Sequence, residues 1–193
     1  DGGLISRAQD IYSLLLKNNI NSVFSVGVGG AGLEYQIKKN LPQIKLVCSE
    51  YSPQNVSMLK KVFKECDDII LFDILKGDWN IVKNNYLKDL NSVLIMYRLD
   101  AGFTNEQWKN IFKSIYDSGV ENIIYIPTNF LTLLSLWNRK SRELKWFLNR
   151  KPISFAGHIR SKKTFQGFWK NSYAEKELNF GGLWGFFLKR TLK

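Results

Sequence analysis

The sequence predicts an α/β fold, a mainly parallel sheet with helices on both faces that finishes in an antiparallel hairpin. Three observations carry this expectation. Short Val-, Ile- and Phe-rich runs alternate with helix-periodic segments over residues 22–126, the pattern of parallel strands joined by crossover helices. Four glycines, Gly27, Gly29, Gly30 and Gly32, follow the first of these runs where strand gives way to helix. Two β-rich runs near the C-terminal end flank Gly181-Gly182, a tight-turn dipeptide.

Ile5, Ala8, Ile11, Tyr12, Leu15 and Leu16 recur at helical spacing, so the chain opens with an amphipathic helix ending near Asn18-Asn19. Residues 22–28 form the first strand and 32–39 the helix after the glycines. Residues 44–49 are the second strand, and 53–66 a helix with Ser52 as N-cap and Pro53 at its first position. Strands over 69–72, 93–97 and 123–126 follow, separated by helices over 80–90 and over 106–117, the latter capped near Thr104. The rhythm then breaks. A long, partly basic helix is expected over 131–148 and is stopped by Pro152; Ser161 caps a short helix bearing Phe165, Phe168 and Trp169. Residues 172–178 and 183–190 form the hairpin, which brings the sheet to seven strands. No linker or repeat divides the chain, so residues 1–193 read as one domain.

At 193 residues and 45% apolar content the chain is long enough to bury one core. Its longest near-continuous apolar stretch, 130–137, is interrupted by Thr132 and Ser135 and falls short of the ~20 residues that cross a bilayer. Asp1-Gly2-Gly3 has neither an initiating Met nor a signal-peptide pattern, as expected of a fragment of a longer chain. Cys48 and Cys66 lie 18 apart without CxxC spacing or a nearby His, which fits buried structural thiols in a reducing, cytoplasmic compartment. The net charge of +11 is localised: residues 138–193 hold 14 Lys and Arg against three acids, and the first 137 residues sum to zero. The same segment carries 11 of the 27 aromatics. Such asymmetry marks an interaction region.

Gly27, Gly29 and Gly32 fit G-x-G-x-x-G between a strand and a helix, where glycine permits a tight turn and close approach of a ligand to the backbone. Glu50 lies 23 positions after Gly27, at the end of the second strand, where a carboxylate can take both hydroxyls of a ribose. A nucleoside-containing cofactor follows from the pair. No GxxxxGK[ST] is present, which excludes a triphosphate held by a P-loop. NAD and S-adenosylmethionine both satisfy this spacing.

Cys48 to Lys61, "CSEYSPQNVSMLKK", resembles the acidic-x-Ser-Pro segment after strand two of the Rossmann-like, class I S-adenosylmethionine-dependent methyltransferases. "FDIL", Phe72 to Leu75, resembles the acidic segment after strand three in that family, and "VLIMYRLDAGFTNEQWKNIF" its fourth strand and following helix. The terminal hairpin is similar to the family's sixth and seventh strands. The resemblance runs from about Ser22 to Lys189 and implies a Rossmann-like methyltransferase fold, S-adenosylmethionine as cofactor, and residues 22–127 as the half that binds it. It implies that Gly27 and Gly29 border the methionine and ribose portion, that Glu50 holds the ribose hydroxyls, that Tyr51 packs on the adenine beside Ile74, and that Asp73 accepts from the exocyclic amine. Two positions depart from the family: Ser25, counted among the expected cofactor-binding residues, stands where an acid is usual, and Leu99-Asp100-Ala101-Gly102 where a His is frequent.

Methyl transfer from a sulfonium is an in-line displacement that depends mainly on alignment. For a hydroxyl acceptor, Asp100 and His158, the only histidine, are the candidate bases. Arg98, Arg160, Lys162 and Lys163 are candidate acceptor-binding residues, and residues 128–193 the acceptor side. "FAGHIRSKKTFQGFWKNSY" and "GGLWGFFLKR" resemble C-terminal parts of methyltransferases of glycan and natural-product pathways. A small-molecule or glycan-type acceptor, phosphorylated or lipid-linked forms included, is therefore expected ahead of RNA. The basic, Trp-bearing stretch 130–151 also suits an anionic membrane surface. An NAD-dependent oxidoreductase and a non-catalytic membrane or scaffold module are the alternatives.

Overall fold

The computed structural model describes residues 2–128, 130, 137 and 158–191. Seven strands form one sheet in the order β3-β2-β1-β4-β5-β7-β6. Strands β1 (Ser22–Val26), β2 (Lys45–Glu50), β3 (Asp68–Leu71), β4 (Ser92–Tyr97) and β5 (Asn122–Ile126) run parallel. The hairpin of β6 (Tyr173–Phe180) and β7 (Leu183–Arg190) joins antiparallel, β7 pairing with β5. The expected fold is the observed one.

Alternation along the central strands builds two cores. Phe24 and Val26 of β1 face one side with Leu94, Met96, Ile123 and Tyr125, covered by α4 (Trp79–Tyr86), α5 (Asn105–Asp117) and α6 (Lys162–Trp169). Val23, Leu46, Ile95 and Ile124 face the other, beneath α1 (Gly2–Lys17), α2 (Gly32–Asn40) and α3 (Pro53–Val62). Strands apolar on both faces are what a parallel sheet between helix layers requires. No helix among the described residues is long and apolar enough to cross a membrane.

The helix starts follow the sequence signals. Ser52 and Ser161 accept from backbone N–H groups of the first turns of α3 and α6, and Thr104 with Gln107 forms a capping box on α5. Several boundaries differ from expectation, four of them for local reasons. The first strand stops at Val26 because Gly27 turns left-handed, φ 66°. α3 stops at Val62, and the Cys66 thiol beyond it donates to the carbonyls of Leu46 and Asp68 as the chain enters β3. α4 starts earlier than expected because Asp78 caps it, and it ends where Lys83 Nζ donates to the carbonyls of Leu87 and Lys88. The expected helix over 131–148 lies outside the described residues apart from Trp137, which is helical and exposed.

Candidate active site

Strand order reverses between β1 and β4: the chain steps outward through β2 and β3, then returns to build β4 and β5 on the other side. In such sheets the two connections leave in opposite directions and open a crevice at the carboxyl ends of the strands. Here those ends are Gly27 after β1 and Arg98 after β4. The glycine turn is left-handed at Gly27, Gly29 (φ 55°) and Ala31 (φ 52°). A Cβ on Gly27 would lie 2.6 Å from Leu99 Cδ2, so at this position it is the protein's own post-β4 segment that approaches the backbone. A Cβ on Gly29 or on Gly30 would meet no atom within 4 Å, so these two positions of the turn have open space beside them.

Glu50 ends β2, the strand beside β1, and its carboxylate is buried against the turn. Oε1 accepts from Gly29 N at 2.5 Å and Oε2 from Tyr51 N at 3.2 Å, so the side chain is oriented toward the glycines. Asp73 follows β3 in a turn in which its Oδ1 accepts from Leu75 N at 2.8 Å. Gly27, Glu50, Tyr51, Asp73 and Ile74 line a single cleft of about 570 Å³ together with Arg98. Arg98 adopts φ 57°, uncommon for a residue with a Cβ and concentrated at functional sites. Phe72, Leu99 and Phe103, to which the sequence reading assigned no site role, complete the apolar wall.

Ser25 lies apart from the cleft lining, buried behind the turn, where its Oγ donates to Glu34 Oε1 at 2.7 Å. Glu34 was missed at the sequence level. It sits in the first turn of α2, 2% exposed, and burial pushes its carboxyl up to about 7, with the Glu50 charge adding to the rise and the Ser25 hydroxyl opposing it. An acid on the stripe that carries Leu33 and Ile37, opposite Ser25 of β1, was the available signal.

The remaining candidates are dispersed. Asp100 is buried, and its Oδ1 accepts from Thr128 N at 2.6 Å, tying the end of β4 to the end of β5. His158 N donates to Ala101 O at 3.1 Å, so the C-terminal segment does meet the post-β4 segment. Arg160 is buried, and its guanidinium donates to Asn105 Oδ1 and to the carbonyls of Asp100, Phe103 and His158. Lys162 pairs with Glu177, and Lys163 is exposed beside Lys170 and Tyr173 at a different surface. Of the C-terminal segment's described aromatics only Trp184 is exposed; Phe165, Phe168, Trp169, Tyr173, Phe180, Phe186 and Phe187 are core.

The sequence matches no protein-family model and no curated protein. The structure is similar to human N-acetylserotonin methyltransferase in complex with S-adenosylmethionine, with a TM-score of 0.65 at 14% identity over 96% of this chain and 52% of that one. The mitomycin 7-O-methyltransferase gives 0.64 at 12% identity over 97% and 54%. The fold is that of the class I methyltransferases. Magnesium protoporphyrin IX methyltransferase from Synechocystis, with bound S-adenosylhomocysteine, matches this methyltransferase fold at 0.65 and 11% identity, over 98% of this chain and 84% of that one. The chain spans about half the length of the first two proteins.

Proposed function

We propose that the chain is an S-adenosylmethionine-dependent methyltransferase that O-methylates a small-molecule acceptor, glycan-type acceptors included. The carrying observation is the orientation of the buried Glu50 carboxylate onto Gly29, beside a cleft that Asp73 enters from the next strand. The residues fit the cofactor. Gly29 leaves its side of the turn open, Glu50 suits two ribose hydroxyls, Tyr51 and Ile74 offer apolar surface to an adenine, and Asp73 offers an acceptor to its amine. The cofactor supplies a methyl group on a positively charged sulfur, a carbon already activated for displacement. The chain's part is alignment, which in favourable cases supplies ~7–11 kcal/mol of a barrier. Leu99 and Phe103 give the cleft apolar wall, and Arg98 presents a cation to it. In this reading Asp100 and Arg160 hold the post-β4 segment in place, and His158 is the acid/base candidate on the acceptor side.

The acceptor class is supported by what similar proteins are: methyltransferases of N-acetylserotonin, of mitomycin and of magnesium protoporphyrin IX, all small molecules. A thermal-shift screen tests the reading. S-adenosylhomocysteine and S-adenosylmethionine are expected to raise Tm by mass action, with no shift from NAD or NADP. A shift with the nicotinamide dinucleotides alone overturns it in favour of an oxidoreductase.

A further inference from the structure

Among the described residues, Arg98 is the one cation that lines the cleft, and its backbone is held there in a conformation that few residues with a Cβ adopt, φ 57°. Such a conformation persists only where the surroundings fix it. Both sides of the residue are tied to the end of β5: Arg98 N donates to Ile126 O at 2.7 Å, and the Thr128 hydroxyl donates to Arg98 O at 3.5 Å. The guanidinium has no comparable ties. The side chain is exposed, no acid among the described residues pairs with it, and its contact is with the ring of Tyr97, whose centroid lies 6.0 Å from Cζ. The other charged groups of the cleft are already engaged, Glu50 by Gly29 N and Tyr51 N and Asp73 by Leu75 N. Arg160 makes the contrast, since its donors all go to protein oxygens. Arg98 keeps its fork of N–H donors for a ligand.

Resting on the cofactor reading above, we propose that Arg98 determines the acceptor class: the acceptor carries an oxyanion, a carboxylate or a phosphate, and the Arg98 guanidinium holds it in the cleft. Charge separates an anion on the acceptor from one on the donor. The α-carboxylate of S-adenosylmethionine travels with an α-ammonium, so that end is neutral and the sulfonium makes the whole molecule a cation. A guanidinium in the same cleft is repelled by such a donor, and an anionic acceptor is attracted by both. Placement agrees with charge. The acids that suit the donor, Glu50 and Asp73, follow β2 and β3, whereas Arg98 follows β4 across the strand reversal. It opens the segment that the C-terminal part of the chain reaches through the bond from His158 N to Ala101 O. A guanidinium pairs with a planar oxyanion through two parallel hydrogen bonds, which fixes orientation as well as position. The oxyanion is then a handle, and the hydroxyl that takes the methyl is another group of the same acceptor.

The test is binding of small probes to the protein saturated with S-adenosylhomocysteine, followed by ligand-observed NMR, for the wild type, Arg98→Met and Arg98→Lys. The charged probes are salicylate, phenyl phosphate and glucose 6-phosphate, each beside its uncharged counterpart, salicylamide, phenol and glucose. The wild type is expected to bind charged members ahead of uncharged ones. Arg98→Met should weaken the charged members by roughly tenfold, the low end for a charge-assisted bond because the site is open to water, and leave the uncharged ones unchanged. Arg98→Lys should recover part of the loss, since an ammonium keeps the charge without the fork. Affinity for S-adenosylhomocysteine is expected to be the same in all three proteins. A drop in that affinity in Arg98→Met would give the guanidinium to the donor's own carboxylate and overturn the acceptor assignment. A preference for anions that survives in Arg98→Met, or a wild type that binds charged and uncharged probes alike or none of them, overturns it as well, with the cofactor reading left standing. Failure of S-adenosylhomocysteine to bind the wild type overturns both.

Discussion

At the scale of single residues, the glycine turn separates two reasons for glycine that a sequence motif merges. Gly27 is constrained from inside, by Leu99 2.6 Å from where its Cβ would stand, and Gly29 only by its backbone conformation. Gly27→Val is therefore expected to disturb the fold and lower Tm. Gly29→Ala carries a single Cβ into open space at φ 55°, at a strain of about 1–2 kcal/mol, and should weaken S-adenosylhomocysteine binding while the protein still unfolds cooperatively. If both variants bind as the wild type does, the turn serves the fold alone. Glu34 makes a second prediction with a fixed sign. Its carboxyl is raised from 4.5 to about 7, so the folded protein holds a proton that the unfolded chain has released. Stability then falls as pH climbs between these values and stays low above them. Glu34→Gln should accordingly stabilise the protein at pH 8 by on the order of 3 kcal/mol and by little at pH 4.5, read from urea unfolding at the two pH values. A uniform effect at both pH values would show that the side chain acts by packing.

At the scale of elements, β7 pairs the C-terminal segment with β5, and one buried side chain, Arg160, adds a polar tie to the parallel half. Arg160 reaches Asn105 at the start of α5 and the carbonyls of Asp100 and Phe103 around the post-β4 turn, with Phe165 and Phe168 of α6 each 6.0 Å beneath its guanidinium. Removing the guanidinium leaves buried carbonyls without donors. Arg160→Met should cost about 2–4 kcal/mol in chemical denaturation, and Arg160→Lys should recover only part of it because an ammonium cannot span the same fork. A variant as stable as the wild type would free Arg160 for a role toward the acceptor. The elements themselves were well written in the sequence: Ser52-Pro53, Thr104 with Gln107, and Ser161 are local start signals, and each begins the helix it announces. Ends were harder to read because they depend on distant partners, such as the Cys66 thiol reaching Leu46 across to β2. The same limit applies to the site. Gly27, Glu50, Tyr51, Asp73 and Ile74 are legible because strand ends deliver them to one edge of the sheet. Arg160 reads as an exposed basic residue until its four oxygen partners, drawn from residues 100 to 158, are assembled around it.

At the scale of the whole molecule, the excess charge and the candidate cleft belong to different parts of the sequence. The excess of +11 belongs to residues 138–193, and the cleft is lined by residues 26 to 103. Lys163 is exposed near Lys170, whereas Lys162 is already paired with Glu177, so Lys163→Glu is the cleaner probe of an anionic acceptor. It should weaken binding of a phosphorylated saccharide in a salt-dependent way and leave S-adenosylhomocysteine affinity unchanged. No effect on any anionic acceptor would reduce the basic segment to a solvated surface. The most direct measurement is calorimetric titration of S-adenosylhomocysteine and of NAD into the wild type and into Glu50→Ala. Loss of charge-assisted bonds worth about 1.5–3 kcal/mol should weaken S-adenosylhomocysteine by roughly 10- to 150-fold in the variant, with no heat from NAD in either protein. Tighter binding of NAD, or equal S-adenosylhomocysteine affinity in the two proteins, would contradict the assignment of this cleft to a methyl donor.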